Sequence, residues 1–335
     1  MTTKEDEKKE RFDKLHEQLE AIADSYVADP TKIAEYLAFA SKFYNYSPTN
    51  TMLIHFQNPG AIFVASYAAW KAEGHAVRKG EKGAKIFVPS PTTFFTDSKG
   101  DFKQLKEATK QEKQLIKEGK IESVTKMYFR IGHVFDIAQT NVSFTDYPKI
   151  LAPGVTSVEH AELTKRLTNY IRDNVCDIEI REMSGARIFG FYDRLNNRIQ
   201  ISPALGDTAR LSTLAHEMGH AVLHQVKNEL TTAEKEFQAD AFSIMLHEEL
   251  GLPVTEDRKS HLSTIFEDLK KEVETSALKE KPDDVEKDDW IKSSYRRRLV
   301  ESLKDIHTAY KLHRPEIMKA LRSHTVETRQ TDKEL

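Results

Sequence analysis

Residues 212–224 read STLAHEMGHAVLH, and within them His216, Glu217 and His220 form an HExxH box. On an α-helix, positions four apart lie one above the other on one face, so the two imidazoles can converge on a single cation. Glu217 projects about 100° round from His216, outside the ligand pair but within reach of a water at the metal, from which it can take a proton. The box thus offers two ligands and a base. Leu211, Leu214, Ala215, Met218, Ala221, Val222 and Leu223 make the segment apolar nearly all round, as expected of a helix buried inside a domain. Two unpartnered histidines there would cost on the order of a few kcal/mol, so they are expected to have a task.

A hydrolytic zinc site takes three protein ligands and keeps one position for water. The next helical segment, residues 231–249 (TTAEKEFQADAFSIMLHEE), offers the third. It opens with a capping-box pattern of Thr231 and Glu234, and Phe237, Ala241, Ile244 and Met245 give it an apolar stripe. Glu236 and Asp240 are four apart and share a face, which suits one to ligate and the other to accept the second imidazole N–H of a ligand histidine. Glu236 is assigned as the ligand and Asp240 as the support; the reverse assignment satisfies the same spacing.

These residues resemble the ImmA/IrrE-like metallopeptidases of the zincin group, whose motif runs as HEMGH and EKEFQADAF do here. The resemblance spans roughly residues 155–250. It implies a gluzincin-like zinc endopeptidase with His216, His220 and Glu236 on the metal and Glu217 as the catalytic base. It also implies a helix–strands–helix–helix domain in which an edge strand presents substrate beside the zinc. Residues 186–203 (ARIFGFYDRLNNRIQISP) suit that strand region, with a hairpin turn at Leu195-Asn196-Asn197. Ser157 is placed to cap a helix over 158–174. Tyr192, His224 and His247 are candidates for steadying the oxyanion. Zn2+ is the expected ion, although His/His/Glu sites also accept Mn2+ or Co2+.

The first half of the chain carries a different chemistry. From Lys71 to Lys85 it reads KAEGHAVRKGEKGAK, a glycine-punctuated basic loop that can lay N–H groups and ammonium heads along phosphates. Before it, FYNYSPTNTMLIHFQNPGA (43–61) brings aromatics and amides. Rings next to a basic track are the usual solution for binding single strands, because every base has a stackable face. The candidate DNA-binding residues are Tyr44, Tyr46, Asn50, Arg78, Lys79, Lys82 and Lys85. A hairpin turn with solvated lysines and core-packed aromatics accounts for the same residues.

NYSPTNTMLIHFQNPGA, then Trp70, VRKGEKGAKIFVP and FRIGHVFDIAQT (129–140) resemble, in that order, the N-terminal domain of the ArdC antirestriction proteins. The resemblance covers about residues 10–145 and implies a single-stranded-DNA-binding domain joined to a zinc metallopeptidase-like one. The implied setting is the cytoplasm and a mobile element such as a plasmid, with antirestriction or cleavage of a regulatory protein as the output. The lysine-rich stretch 99–126 reads as a charged helical excursion between strands near 84–89 and 124–138, and as a solvated face in preference to an extra DNA contact.

The elements that must position these groups follow from periodicity and breakers. The expected fold is α+β in two domains: an ArdC-type domain over 1–145, a linker at 146–154, a zincin-like domain over 155–275, and a charged linker with C-terminal helices over 276–335. Helices are expected at 5–28, 31–44, from Ser47-Pro48 to about 57, at 256–275, 291–311 and 315–323, with Arg296, Arg297 and Arg298 as a basic cluster. A single cysteine, Cys176, makes no internal disulfide and fits a reducing compartment. No apolar run approaches the roughly 20 residues that span a bilayer, and the charged start MTTKEDEKKERF lacks the apolar stretch of a secretory signal. A formal net charge of -3 gives no global attraction to nucleic acid, so such binding must come from a local patch. The partners expected are single-stranded DNA and a protein or peptide substrate, with no membrane.

Overall fold

The computed structural model describes residues 4–29, 31–43, 45–97, 99–142, 157–182, 189–226, 229–252 and 256–322. The chain opens with three helices, α1 (Lys4–Ala28), α2 (Thr31–Lys42) and α3 (Pro48–Gln57). α3 begins as its sequence dictates: Ser47 accepts the Asn50 N–H and Pro48 occupies the first turn, where a missing N–H costs nothing. Packing sorts the molecule into two compact units, one of residues 1–17 and 60–144, the other of residues 18–59 and 145–335. The linear division near residue 145 and the division by packing therefore differ. The apolar faces of α2 and α3 are buried among C-terminal helices, which assigns residues 18–59 to the second unit.

The first unit is built on an antiparallel sheet. β1 (Val64–Ser66) leads into α4 (Tyr67–Ala72), and β2 (Ala84–Thr96), β3 (Phe102–Gln104), α5 (Lys110–Lys117) and β4 (Ser123–Asp136) follow. The strand order is β1-β4-β2-β3. β2 and β4 form a long ribbon from Ala84↔Val134 to Phe95↔Ser123. Pro89 and Pro91 fit within β2 because β3 pairs with it only from Phe94, leaving that side open where the prolines lack a donor. The inner end of the ribbon is packed: Phe12 and His16 lie 5.1 and 4.6 Å from Phe87, and the buried Trp70 indole donates to the Phe135 carbonyl at 2.9 Å. Asp136 accepts the N–H groups of Ile62 and Phe63 at 2.8 and 3.0 Å. The stretch 99–126 holds β3, a single 3-10 turn at Leu105–Glu107, α5 and the start of β4, a smaller helical share than its composition suggests.

In the second unit α6 (Ser157–Asn174) precedes β5 (Asp177–Ile180), β6 (Gly190–Asp193) and β7 (Arg198–Ile201). Ser157 as a cap lies outside the described side chains. The sheet runs β5-β7-β6, with β5 parallel and β6 antiparallel to β7, so β5 and β6 are its two edge strands among the described residues. The turn between β6 and β7 places Asn197 at φ 46°, a left-handed conformation that asparagine tolerates. α7 (Asp207–Leu223), α8 (Thr232–Glu249), α9 (Glu256–Glu280) and α10 (Lys287–Arg322) complete the unit.

α8 is buried nearly all round, between α7, α2, α9 and α10. Its ends are tied down: Glu234 closes the capping box with Thr231 and meets Arg298 at 3.0 Å, and Glu249 accepts the Tyr310 hydroxyl at 2.6 Å and pairs with Arg314. Arg296 makes a two-pronged pair with Asp24, both contacts 2.9 Å. The basic cluster is thus partly consumed inside the unit. The two C-terminal helices expected from Pro315 are one helix. Proline inside a helix costs about 3 kcal/mol, which burial of Ile317, Met318 and Leu321 at 0–5% exposure offsets. No helix among the described residues is long and apolar enough to cross a membrane.

Candidate metal centre

α7 carries His216 and His220 on one face, and α8 brings Glu236 opposite them. His216 Nε2 and His220 Nε2 are 3.2 Å apart; Glu236 lies 3.4 Å from the first and 3.5 Å from the second. Bonds of about 2.0–2.1 Å to one tetrahedral ion hold neighbouring ligand atoms about 3.3 Å apart, so this triangle of donors fits a divalent cation. Among the described residues these three form the one such His/Cys/Asp/Glu group.

Two glycines permit the approach. A Cβ on Gly219 would stand 2.9 Å from both the Cα and the carbonyl oxygen of Ala239, so only glycine lets α7 and α8 come this close. A Cβ on Gly190 would stand 2.4 Å from the Thr213 methyl and 3.0 Å from Glu217 Oε1, so β6 lies directly on α7. The Tyr192 backbone N–H consequently donates to the Glu217 carboxylate.

Each imidazole is held from behind. His216 Nδ1 meets Asp240 Oδ1 at 2.7 Å, and the other Asp240 oxygen meets His261 Nδ1 at 2.8 Å. His220 Nδ1 meets His224 Nδ1 at 3.0 Å, His224 Nε2 meets Gln238 Oε1 at 3.0 Å, and Gln238 Nε2 donates to Asp305 Oδ2 at 3.3 Å. The directions in this chain are self-consistent. If His220 ligates through Nε2, its Nδ1–H donates to His224, whose Nε2–H donates to Gln238, whose amide donates to Asp305. Burial pushes the His224 imidazole down to about 4, so at neutral pH it is uncharged and its Nδ1 can accept.

The electrostatics favour a cation. Burial opposes charge on Glu236 and Asp240, but hydrogen bonds from His216, His220 and His261 outweigh it and hold both carboxyls well below the usual range. Burial likewise opposes charge on His216, and Asp240 and Glu236 overcome it, raising its affinity for positive charge. A proton or a metal ion can supply that charge. Glu217, 7% exposed, behaves oppositely: burial raises its carboxyl, and the two histidines offset this only in part.

The side chains considered for steadying the oxyanion have other partners. Tyr192 is buried with its hydroxyl on Asn197, 2.8 Å away. His247 is buried and bonded to the Ser243 carbonyl at 2.7 Å. His224 stands behind His220, bonded to it and to Gln238. His261 was not foreseen, because nothing local on its helix marks a partner 21 residues away on α8.

The candidate DNA-binding residues divide between the units. Tyr44 lies outside the described residues. Tyr46 is half-buried and Asn50 buried, both in the second unit. Phe43 is core, stacked on Phe39 at 4.3 Å. Arg78, Lys79, Lys82 and Lys85 are exposed in the first unit. There the Arg78 guanidinium donates to the Ala138 carbonyl and stands 3.7 Å from Glu81, while Gln139 donates to Glu81 and to the Lys82 carbonyl, both at 3.0 Å.

Comparison with known proteins agrees with both halves. Residues 5–135 match the N-terminal domain of anti-restriction factor ArdC, and residues 175–277 match the IrrE N-terminal-like domain, a peptidase family. A curated relative, an uncharacterized protein of Bacillus anthracis, is 32% identical over 272 residues; the match spans 73% of this chain and 46% of the relative. Two crystal structures of the antirestriction ArdC protein from the R388 plasmid are similar at 14% identity. The metal-free form covers 91% of this chain and 98% of its own at a TM-score of 0.46. The Mn(II)-bound form covers 92% and 99% at 0.43.

Proposed function

From a chain that joins an ArdC-type N-terminal domain to an IrrE-like domain, we propose a metal-dependent peptidase that binds single-stranded DNA and acts in antirestriction or in cleavage of a regulatory protein. The observation that carries the reading is the donor triangle of His216, His220 and Glu236 with the raised carboxyl of Glu217 next to it. Zn2+ suits the tetrahedral spacing best, with Mn2+ or Co2+ as substitutes. When bound, the ion supplies Lewis-acid polarisation of a water and of the scissile carbonyl.

The chain's own residues do the rest. Asp240 and His224 orient the two ligand imidazoles. Glu217 would accept the water proton and pass it to the leaving amine, a task suited to a carboxyl that burial raises above its ordinary value. Of the two edge strands, β6 donates to Glu217 through Tyr192, and an extended peptide would lie along it, with the exposed Phe189 and Phe191 alongside.

Glu217→Gln tests the mechanism. The variant should fold and bind metal like the wild type while cleavage of a peptide-library probe is abolished; cleavage at the wild-type rate would refute the assignment. A second reading, a DNA-binding antirestriction protein whose metal site is structural, is favoured by the near-complete burial of Glu217, which limits water access. Antirestriction by Glu217→Gln separates the two: retained protection with metal bound supports the non-proteolytic reading.

A further inference from the structure

The outer part of the β2–β4 ribbon leaves exposed faces of two kinds. Residues directly opposite in an antiparallel pair share a face. On one face Phe94 stands opposite Val124, Thr92 opposite Lys126, Ser90 opposite Tyr128 and Val88 opposite Arg130, and Phe102 joins from β3. These strand positions include no carboxylate. The Phe94 and Phe102 rings stack at 5.1 Å with their planes 3° apart, and the Tyr128 ring lies 6.0 Å from Phe94. Lys126 Nζ sits 5.9 and 5.4 Å from the two phenylalanine centroids. Phe102 and Tyr128 are 55% and 46% exposed, and Lys126 and Arg130 are exposed beside them. The opposite face carries Pro89, Pro91, Met127 and Phe129, and its cation at the β3 end, Lys103 opposite Phe95, is paired with Asp97.

Exposed rings interleaved with cations, on a face whose strand positions lack carboxylates, are the chemistry that holds an unpaired polynucleotide. Bases stack on the rings and phosphates meet the ammonium and guanidinium groups. In a duplex the base faces are already stacked and out of reach. We infer that single-stranded DNA binds along this face, with bases against Phe102 and Tyr128 and phosphates at Lys126 and Arg130. The inference rests on the DNA-binding reading proposed above and moves its centre away from the basic loop, whose Arg78 is engaged with Ala138 and Glu81.

The test is fluorescence anisotropy of the full chain with labelled oligo(dT) across a salt series, and with a duplex of equal length. Wild type is expected to prefer oligo(dT). Phe102→Ser and Tyr128→Ser should each weaken binding roughly tenfold with the salt dependence unchanged. A Lys126→Gln/Arg130→Gln variant should lower the slope of log K against log salt by about 1.4, for two phosphate contacts on a single strand. All four positions are exposed, and thermal melts matching wild type confirm the fold. Wild-type affinity in these variants, with binding lost instead in Lys79→Gln/Lys82→Gln/Lys85→Gln, would overturn the placement. No binding by wild type at low salt would overturn the DNA reading itself.

Discussion

Gly219→Ala is a sharp test of what holds the donor triangle together. The added Cβ would stand 2.9 Å from Ala239 Cα and carbonyl oxygen, short of ordinary contact by about 0.5 Å. The obstacle is backbone, so no side chain can swing aside and α7 must move from α8. The triangle straddles that seam: the 3.4 and 3.5 Å edges join histidines of α7 to Glu236 of α8. Metal–ligand bonds tolerate deviations of about 0.2 Å, less than the displacement required. Overpacking costs about 1–3 kcal/mol, and replacing a helical glycine by alanine returns about 1 kcal/mol. The metal-free protein should therefore lose at most about 2 kcal/mol. Metal affinity should fall tenfold or more, removing at least about 1.4 kcal/mol of the stabilisation gained on adding metal. Chelator-competition titration gives the affinity, and urea melts with and without metal give the stabilities. A variant that binds metal as tightly as wild type would refute the claim that this helix contact sets the donor spacing.

Three further outcomes follow from the same geometry. Asp240→Ala removes the acceptor shared by His216 and His261 and should weaken metal binding about 10–100-fold, with Asp240→Asn intermediate; chelator competition orders the variants. His224→Phe keeps a buried ring but cannot accept from His220, so metal binding should fall about tenfold, whereas a change at the exposed Lys270 should leave it unaltered; equal affinities for wild type and His224→Phe would show that the chain to Asp305 does not support the ligand. Burial pushes the Cys176 thiol up to about 11, so the native protein should resist a thiol reagent at pH 8 and react once urea unfolds it. The unfolded thiol ionises first as pH rises, so this group's contribution to stability is complete below the ordinary value of 9.0 and is lost as pH climbs to about 11. Rapid labelling of the native protein would show that Cys176 is not enclosed.

What could be read in advance was whatever repeats within one helix or one turn. The i,i+4 spacing of His216 with His220 and of Glu236 with Asp240, the Thr231–Glu234 box and the turn before Asn197 are local patterns, and the structure displays each of them. The supports are different in kind. Asp305 lies 67 residues from Gln238, and His261 lies 21 from Asp240; no period along a helix marks such partners. The same limit explains the DNA candidates. Aromatics at 43–46 and cations at 78–85 are near in sequence, yet packing assigns them to different units. The rings and cations of the ribbon are spread over Phe94, Phe102, Lys126 and Tyr128, and strand register alone brings them onto one face.

Helix packing also decides how far the candidate metal centre extends. The IrrE-like match ends at residue 277, but the hydrogen-bonded chain behind His220 ends at Asp305 on α10, and α8, which carries Glu236, is also covered by α2 from near the start of the chain. The Arg296–Asp24 pair ties α10 to α1 at 2.9 Å within the same unit. A ligand must be held to within a few tenths of an ångström, and that precision comes from buried partners whose own positions are fixed. Residues 18–59 and 287–322 are therefore part of the architecture of the candidate metal site, although the three donors themselves occupy only residues 216–236.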